Sequence, residues 1–203
     1  MLMVPPSTIG TGAGGTGGSA GALNLLETHT VSAGSTIDFV TRNAAGQSGA
    51  SFQTDYDDYQ FDLINVMVSV SGGIGIQVST NGGSSYDTNS NNYVYMYQYS
   101  GSNNGSGAGG GLNNALNNLG MNNSTDIGMS GSFHLYSPTS STLQKSLDGH
   151  CTYRSSASGI PHIQNAVSVV WYASTAAINA IRFWSLGGGT MTGTIRMYGL
   201  AKS

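Results

Sequence analysis

The one acidic cluster in the sequence is Asp55, Asp57 and Asp58, with Asp62 beyond it. Carboxylates at alternate positions are a Ca²⁺ donor set, which makes this the stretch where a metal would sit. The glycine and closing glutamate of an EF-hand are missing, so turn capping and solvation compete for the same side chains. Glycoside hydrolysis needs two facing carboxylates; Glu27 is the only glutamate, which leaves an Asp pair as the route to that chemistry. His150-Cys151 has the makings of a metal or nucleophile pair. Neighbours on a strand point to opposite faces, however, so one site cannot easily use both. Cys151 falls on the apolar side of the alternation and reads as a small buried hydrophobe. His29, His134 and His162 lack zinc-like spacing, and the sequence contains neither a nucleophile elbow nor a phosphate-binding glycine loop. These residues predict no enzyme and no cofactor, with Asp55, Asp57 and Asp58 as the remaining metal candidates.

The elements that must position these side chains are strands. Near the C-terminus Ile181 and Phe183 alternate with Arg182 and Trp184, and Met191, Ile195 and Met197 alternate with Thr192, Thr194 and Arg196. Between them Leu186-Gly187-Gly188-Gly189 predicts a tight hairpin turn, with the terminal strand locked inside a sheet. Leu23 to Val31 and Ser35 to Val40 read as a first strand pair turning at Ser32-Ala33-Gly34. Tyr59, Phe61 and Leu63 share one face, whereas Ile64, Val66, Val68 and Val70 share the other; a β-bulge near Leu63 to Asn65, or burial of both faces, would reconcile them. Tyr93, Tyr95, Tyr97 and Tyr99 line one face of a strand with Val94 and Met96 on the other. This tyrosine stripe is the most interface-like surface in the chain. Leu112, Ala115, Leu116 and Leu119 have helical spacing and predict one short helix. Strands continue through Met129 to Tyr136, Leu143 to Tyr153 and Val167 to Trp171. The pattern predicts an all-β fold, a single jelly-roll-like β-sandwich, with a generic sandwich or barrel as the alternative.

All-β domains commonly reach 203 residues undivided, which predicts one sandwich at 23–203 preceded by an extended, Gly-rich N-terminal arm at 1–22. The arm is too poor in side chains to order itself, and reads either as a dispensable leader or as an attachment arm anchored by Leu2, Val4 and Ile9. Charged residues are 7% of the chain against about 25% in ordinary domains, so the surface is polar but almost uncharged. Its six basic residues are scattered, which argues against nucleic acid. The lone Cys151 excludes an intrachain disulfide and suits a reducing cytoplasm, and no apolar run approaches the ~20 residues of a membrane span. Membrane insertion is therefore not expected.

Four stretches taken together, YDDYQF (56–61), VSTNGGSSY (78–86), AIRF (180–183) and GTIRMYGL (193–200), resemble small virion proteins of tailed bacteriophages, modules of tail fibres and related surface appendages. The resemblance spans about Leu23 to Ala201. It implies a β-sandwich building block, made in the host bacterial cytoplasm and located on the virion. It further implies a homotrimer, held to other virion proteins of tail or capsid by its N-terminus and exposing loops to solvent or to a host glycan or protein. It carries over no catalytic residue, and leaves open a tail fibre as against a head decoration. The competing class is a cellular carbohydrate-binding module or depolymerase, in which Trp171, Trp184 and the tyrosine stripe would stack on sugars.

Overall fold

The computed structural model describes residues 22–40, 52, 56–101, 106–116, 127–154 and 161–201. About two thirds of them lie in strands: β1 (Leu23–Gly34), β2 (Thr36–Val40), β3 (Tyr56–Val68), β4 (Ile74–Ser79), β5 (Tyr93–Gly101), β6 (Ser106–Leu112), β7 (Met129–Tyr136), β8 (Lys145–Arg154), β9 (Pro161–Trp171), β10 (Ala180–Ser185) and β11 (Met191–Ala201). They form an eight-stranded sheet in the order β1-β11-β3-β7-β8-β9-β5-β6 and a three-stranded sheet in the order β2-β10-β4. The fold is an all-β sandwich, as the alternation predicts. Its strands divide eight and three between the two sheets.

The sequence leads one to expect a C-terminal hairpin, and the structure separates its two strands. β10 lies in the small sheet between β2 and β4, while β11 lies in the large sheet between β1 and β3. The first strand pair is divided in the same way, β1 going to the large sheet and β2 to the small one. The glycine turn after β10 is therefore a corner between sheets. It passes the corner joining β3 to β4 so closely that a Cβ on Gly72 would stand 2.7 Å from the Gly187 nitrogen, and one on Gly187 would stand 2.8 Å from the Ser71 carbonyl oxygen. Gly188, at φ 75°, takes the left-handed conformation that closes the turn. β11 is an interior strand, in keeping with its apolar face.

The parity change in β3 is a bulge. Leu63 and Val66 both face the core, and the register against β7 slips between them. Asn65 sits there at φ 48°, a conformation asparagine tolerates better than most residues, with its backbone N–H donating to Ser130 Oγ at 2.9 Å. The short helix predicted from Leu112 to Leu119 does not form over its described part. Leu112 ends β6, and Ala115 bridges Gly75 in extended pairing with β4, where the Ile76 N–H donates to the Asn114 carbonyl at 2.8 Å. Leu119 lies outside the described residues.

Between the sheets Phe39 (β2), Phe183 (β10) and Phe61 (β3) meet at ring-centroid separations of 5.2 to 6.0 Å, so one aromatic cluster pins the small sheet to the large one. Each ring is fully buried, which is worth roughly 1.5–3 kcal/mol per side chain relative to exposure. Lys145 is the one fully buried cation among the described residues. Its ammonium donates to the carbonyls of Ser140, Leu143 and Thr175, tying the segment before β8 to the one before β10. Burial pulls its pKa down.

Candidate functional site

The acidic cluster is dispersed by the sheet. Asp57 is exposed, whereas Asp58 and Asp62 are half-buried on the outer face of β3 and already have partners. Asp58 Oδ1 accepts from the Ser137 N–H at 2.9 Å, holding a turn in which Ser137 has φ 45°. Asp62 Oδ1 accepts from Gln60 Nε2 and Ser132 Oγ, both at 2.9 Å. Among the described residues no three acidic, histidine or cysteine side chains are grouped to hold a metal. Asp55, Leu2, Val4 and Ile9 lie outside the described residues. Cys151 is buried and its thiol is pushed up to about 12 by burial, while His150 is exposed on the opposite face. The pair therefore shares no site.

The tyrosine stripe is real as a geometric feature but not uniform along β5. All four rings face the side of the large sheet on which the small sheet packs. Tyr93 is completely buried: its hydroxyl accepts from the Val78 N–H at 3.1 Å and donates to the Asp87 carbonyl at 2.8 Å, so it belongs to the core and not to a surface interface. Burial raises its pKa. Tyr95 is partly buried against the same core, and burial also raises its pKa. Tyr97 and Tyr99 continue the row beyond the core, with centroids 5.6 Å between Tyr95 and Tyr97 and 6.2 Å between Tyr97 and Tyr99. Opposite the row, β6 supplies Gly111, Gly109 and Gly107 in register, so the rings lie over a strand without side chains on that face. A Cβ on Gly109 would stand 2.6 Å from the Tyr97 hydroxyl oxygen. The other face of this two-stranded ribbon carries Met96, 64% exposed, Leu112, 55% exposed, and the half-buried Val94. β6 is also the edge of the large sheet.

The tryptophans do not make a sugar platform. Trp171 is buried and its Nε1 donates to Asp87 Oδ2 at 2.7 Å; Trp184 is half-buried on the outer side of β10. Beside Trp184, Arg182 forms a two-pronged bond with Asp38, 2.7 Å for each contact, and its guanidinium lies 3.9 Å from the centroid of Tyr86. Burial, then the charge of Asp38, pushes Tyr86 up to about 12 against the opposing effect of Arg182. The Asp38–Arg182–Tyr86 group fastens the segment after β4 to the small sheet, while the Tyr86 hydroxyl and Trp184 Nε1 are buried without a hydrogen-bond partner among the described residues.

The outer face of the large sheet holds a trough of about 730 Å³ that sequence reasoning did not find. Asp148 and His150 of β8 form one wall, Met96 and Gln98 of β5 the other, with Ser168 of β9 between them and Ala108 of β6 at the side. Asp148, Ser168 and Met96 stand in register across the three strands. Beyond Ser168 the registers of β9 against β5 and against β8 slip at the same place, so the trough lies beside a β9 bulge. A bulge locally bends and twists a sheet, which deepens a surface that small side chains already leave low. Behind the wall Tyr136 is raised by burial first, and then by its hydrogen bond to Asp148 and the negative charges of Asp148 and Asp58. The trough residues come from four strands and share no local motif; the only sequence signal for them is polar parity within each strand.

Comparison with protein-family models, with curated proteins and with solved structures finds no match.

Proposed function

We propose that this chain is a non-enzymatic structural component of a bacteriophage virion, a tail-fibre or appendage module that assembles with copies of itself, most simply as a trimer. A head decoration is the alternative placement, and residues 1–22 are its attachment arm. The observation that carries the assembly reading is the β5–β6 ribbon. Tyr97 and Tyr99 on one face, and Met96, Leu112 and Val94 on the other, extend apolar and aromatic surface past the core to a sheet edge. Such an edge is a template for further strands unless it is covered, and a second copy covers it with the same chemistry. The virion part of the reading rests on the resemblance. Three of its four stretches lie on strands, YDDYQF on β3 beside GTIRMYGL on β11 in the large sheet and AIRF on β10 in the small one, while VSTNGGSSY holds only the last two residues of β4 and the turn that follows.

Light scattering on the purified full chain tests the assembly, together with immunogold labelling of intact particles. The expected mass is three times the 20.8 kDa chain, with label on the particle surface. The variant Tyr97→Ala combined with Leu112→Ser should run as a folded monomer with the strand circular-dichroism spectrum of the wild type. A wild-type monomer, or particles that take no label, would sink the reading.

A further inference from the structure

We infer that the outer-face trough between β8 and β5 binds a neutral, hydroxyl-rich chain, an oligosaccharide, through Asp148, His150, Gln98 and Ser168 against Met96. This goes beyond the assembly reading and does not need it: Met96 belongs to both surfaces, but the hydrogen-bonding groups of the trough, Asp148, His150 and Ser168, come from β8 and β9, outside the β5–β6 ribbon. Its walls stand two strand spacings apart, roughly 10 Å, with only Ser168 rising between them in the described row. That is a channel for an extended ligand.

The lining selects among ligand classes. It has one carboxylate, Asp148, and one imidazole, His150, and no lysine or arginine, so nothing there compensates the charge of a phosphate or sulfate chain. A peptide bound as an added strand needs a free backbone edge. β9, which runs along the floor, is paired on both sides, to β8 and to β5, and offers none. What remains are side chains of mixed hydrogen-bonding type. Asp148 only accepts, whereas Gln98, Ser168 and a neutral His150 both donate and accept. Sugar hydroxyls also do both, and can satisfy each of these groups in turn. Met96 and Ala108 supply apolar surface for the C–H faces of the rings.

The test is to pass the full chain over an array of neutral, sialylated and sulfated oligosaccharides, and to titrate it calorimetrically with the strongest neutral binder. Binding to at least one neutral oligosaccharide longer than a disaccharide is expected, with sulfated chains silent. Asp148→Asn and Gln98→Ala, both at exposed positions, should each weaken it about ten-fold or more, since each removes a hydrogen bond to ligand. Ala108→Trp, which fills the side of the trough, should abolish it while the melting temperature holds. The inference is overturned if no neutral oligosaccharide binds, if only anionic chains bind, or if Ala108→Trp binds as well as the wild type. Light scattering on the same samples separates the two readings: a monomer that binds sugar leaves the trough standing and removes the assembly reading.

Discussion

Along β5 the same residue type is used in two ways, and the change happens within one strand. At Tyr93 the large sheet has the small sheet above it. The ring is sealed from water, and its hydroxyl must find partners, which Val78 and Asp87 provide. From Tyr97 onward the rings are only half-buried, and they lie along one another over the glycines of β6. The body is stable because two sheets exclude water between them. The ribbon relies on neighbouring rings and on the backbone pairing of β5 with β6 on one side and with β9 on the other. Identical side chains at identical parity therefore have different energies, set by whether a second layer covers them.

The largest effect should come from breaking the body where the layers are joined. Phe183→Ala removes the β10 ring from the cluster with Phe39 and Phe61 and should cost about 3–5 kcal/mol, measured by urea denaturation. A loss under about 1 kcal/mol would mean that the small sheet is not what holds the sandwich together. Next in size is the contrast within β5. Tyr93→Phe leaves the Val78 N–H and the Asp87 carbonyl without their buried partner and should cost about 1–3 kcal/mol, whereas Tyr97→Phe should be close to neutral in stability. Equal costs for the two would erase the boundary between body and ribbon.

The smallest effect expected is on alkaline stability. An unfolded tyrosine ionises near 10, and Tyr86 in the folded chain is raised to about 12, chiefly by burial. The folded state thus keeps a proton that the unfolded chain gives up. Stability from Tyr86 is complete below about pH 10 and is lost as the pH rises towards 12. Tyr93, also raised by burial, acts in the same direction. Melting temperatures recorded from pH 9 to 12 should fall, and Tyr86→Phe should fall less steeply than the wild type; parallel curves would show that Tyr86 is not held in the folded body as described.

Alternation alone determined most of the strands and the interior burial of Cys151 against an exposed His150, and it narrowed the parity change in β3 to a bulge near Leu63 to Asn65 or burial of both faces, because each depends only on which side of a pleated backbone a residue faces; β6, SGAGGGL, has too few side chains to alternate and was not legible. It also marked the tyrosine row correctly as one face. It could not say which sheet a strand joins. The glycines of Leu186 to Gly189 permit a tight turn in either a hairpin or a corner, and only the close passage of Gly72 and Gly187 selected the corner. For the same reason it could not divide Tyr93 from Tyr97, since that depends on how far the three-stranded sheet extends over its partner. The trough was beyond local reading altogether. Asp148, His150, Gln98, Met96 and Ser168 come together through strand order and the bulge in β9, and a residue's neighbours across a sheet are fixed by long-range pairing that no short stretch of sequence contains.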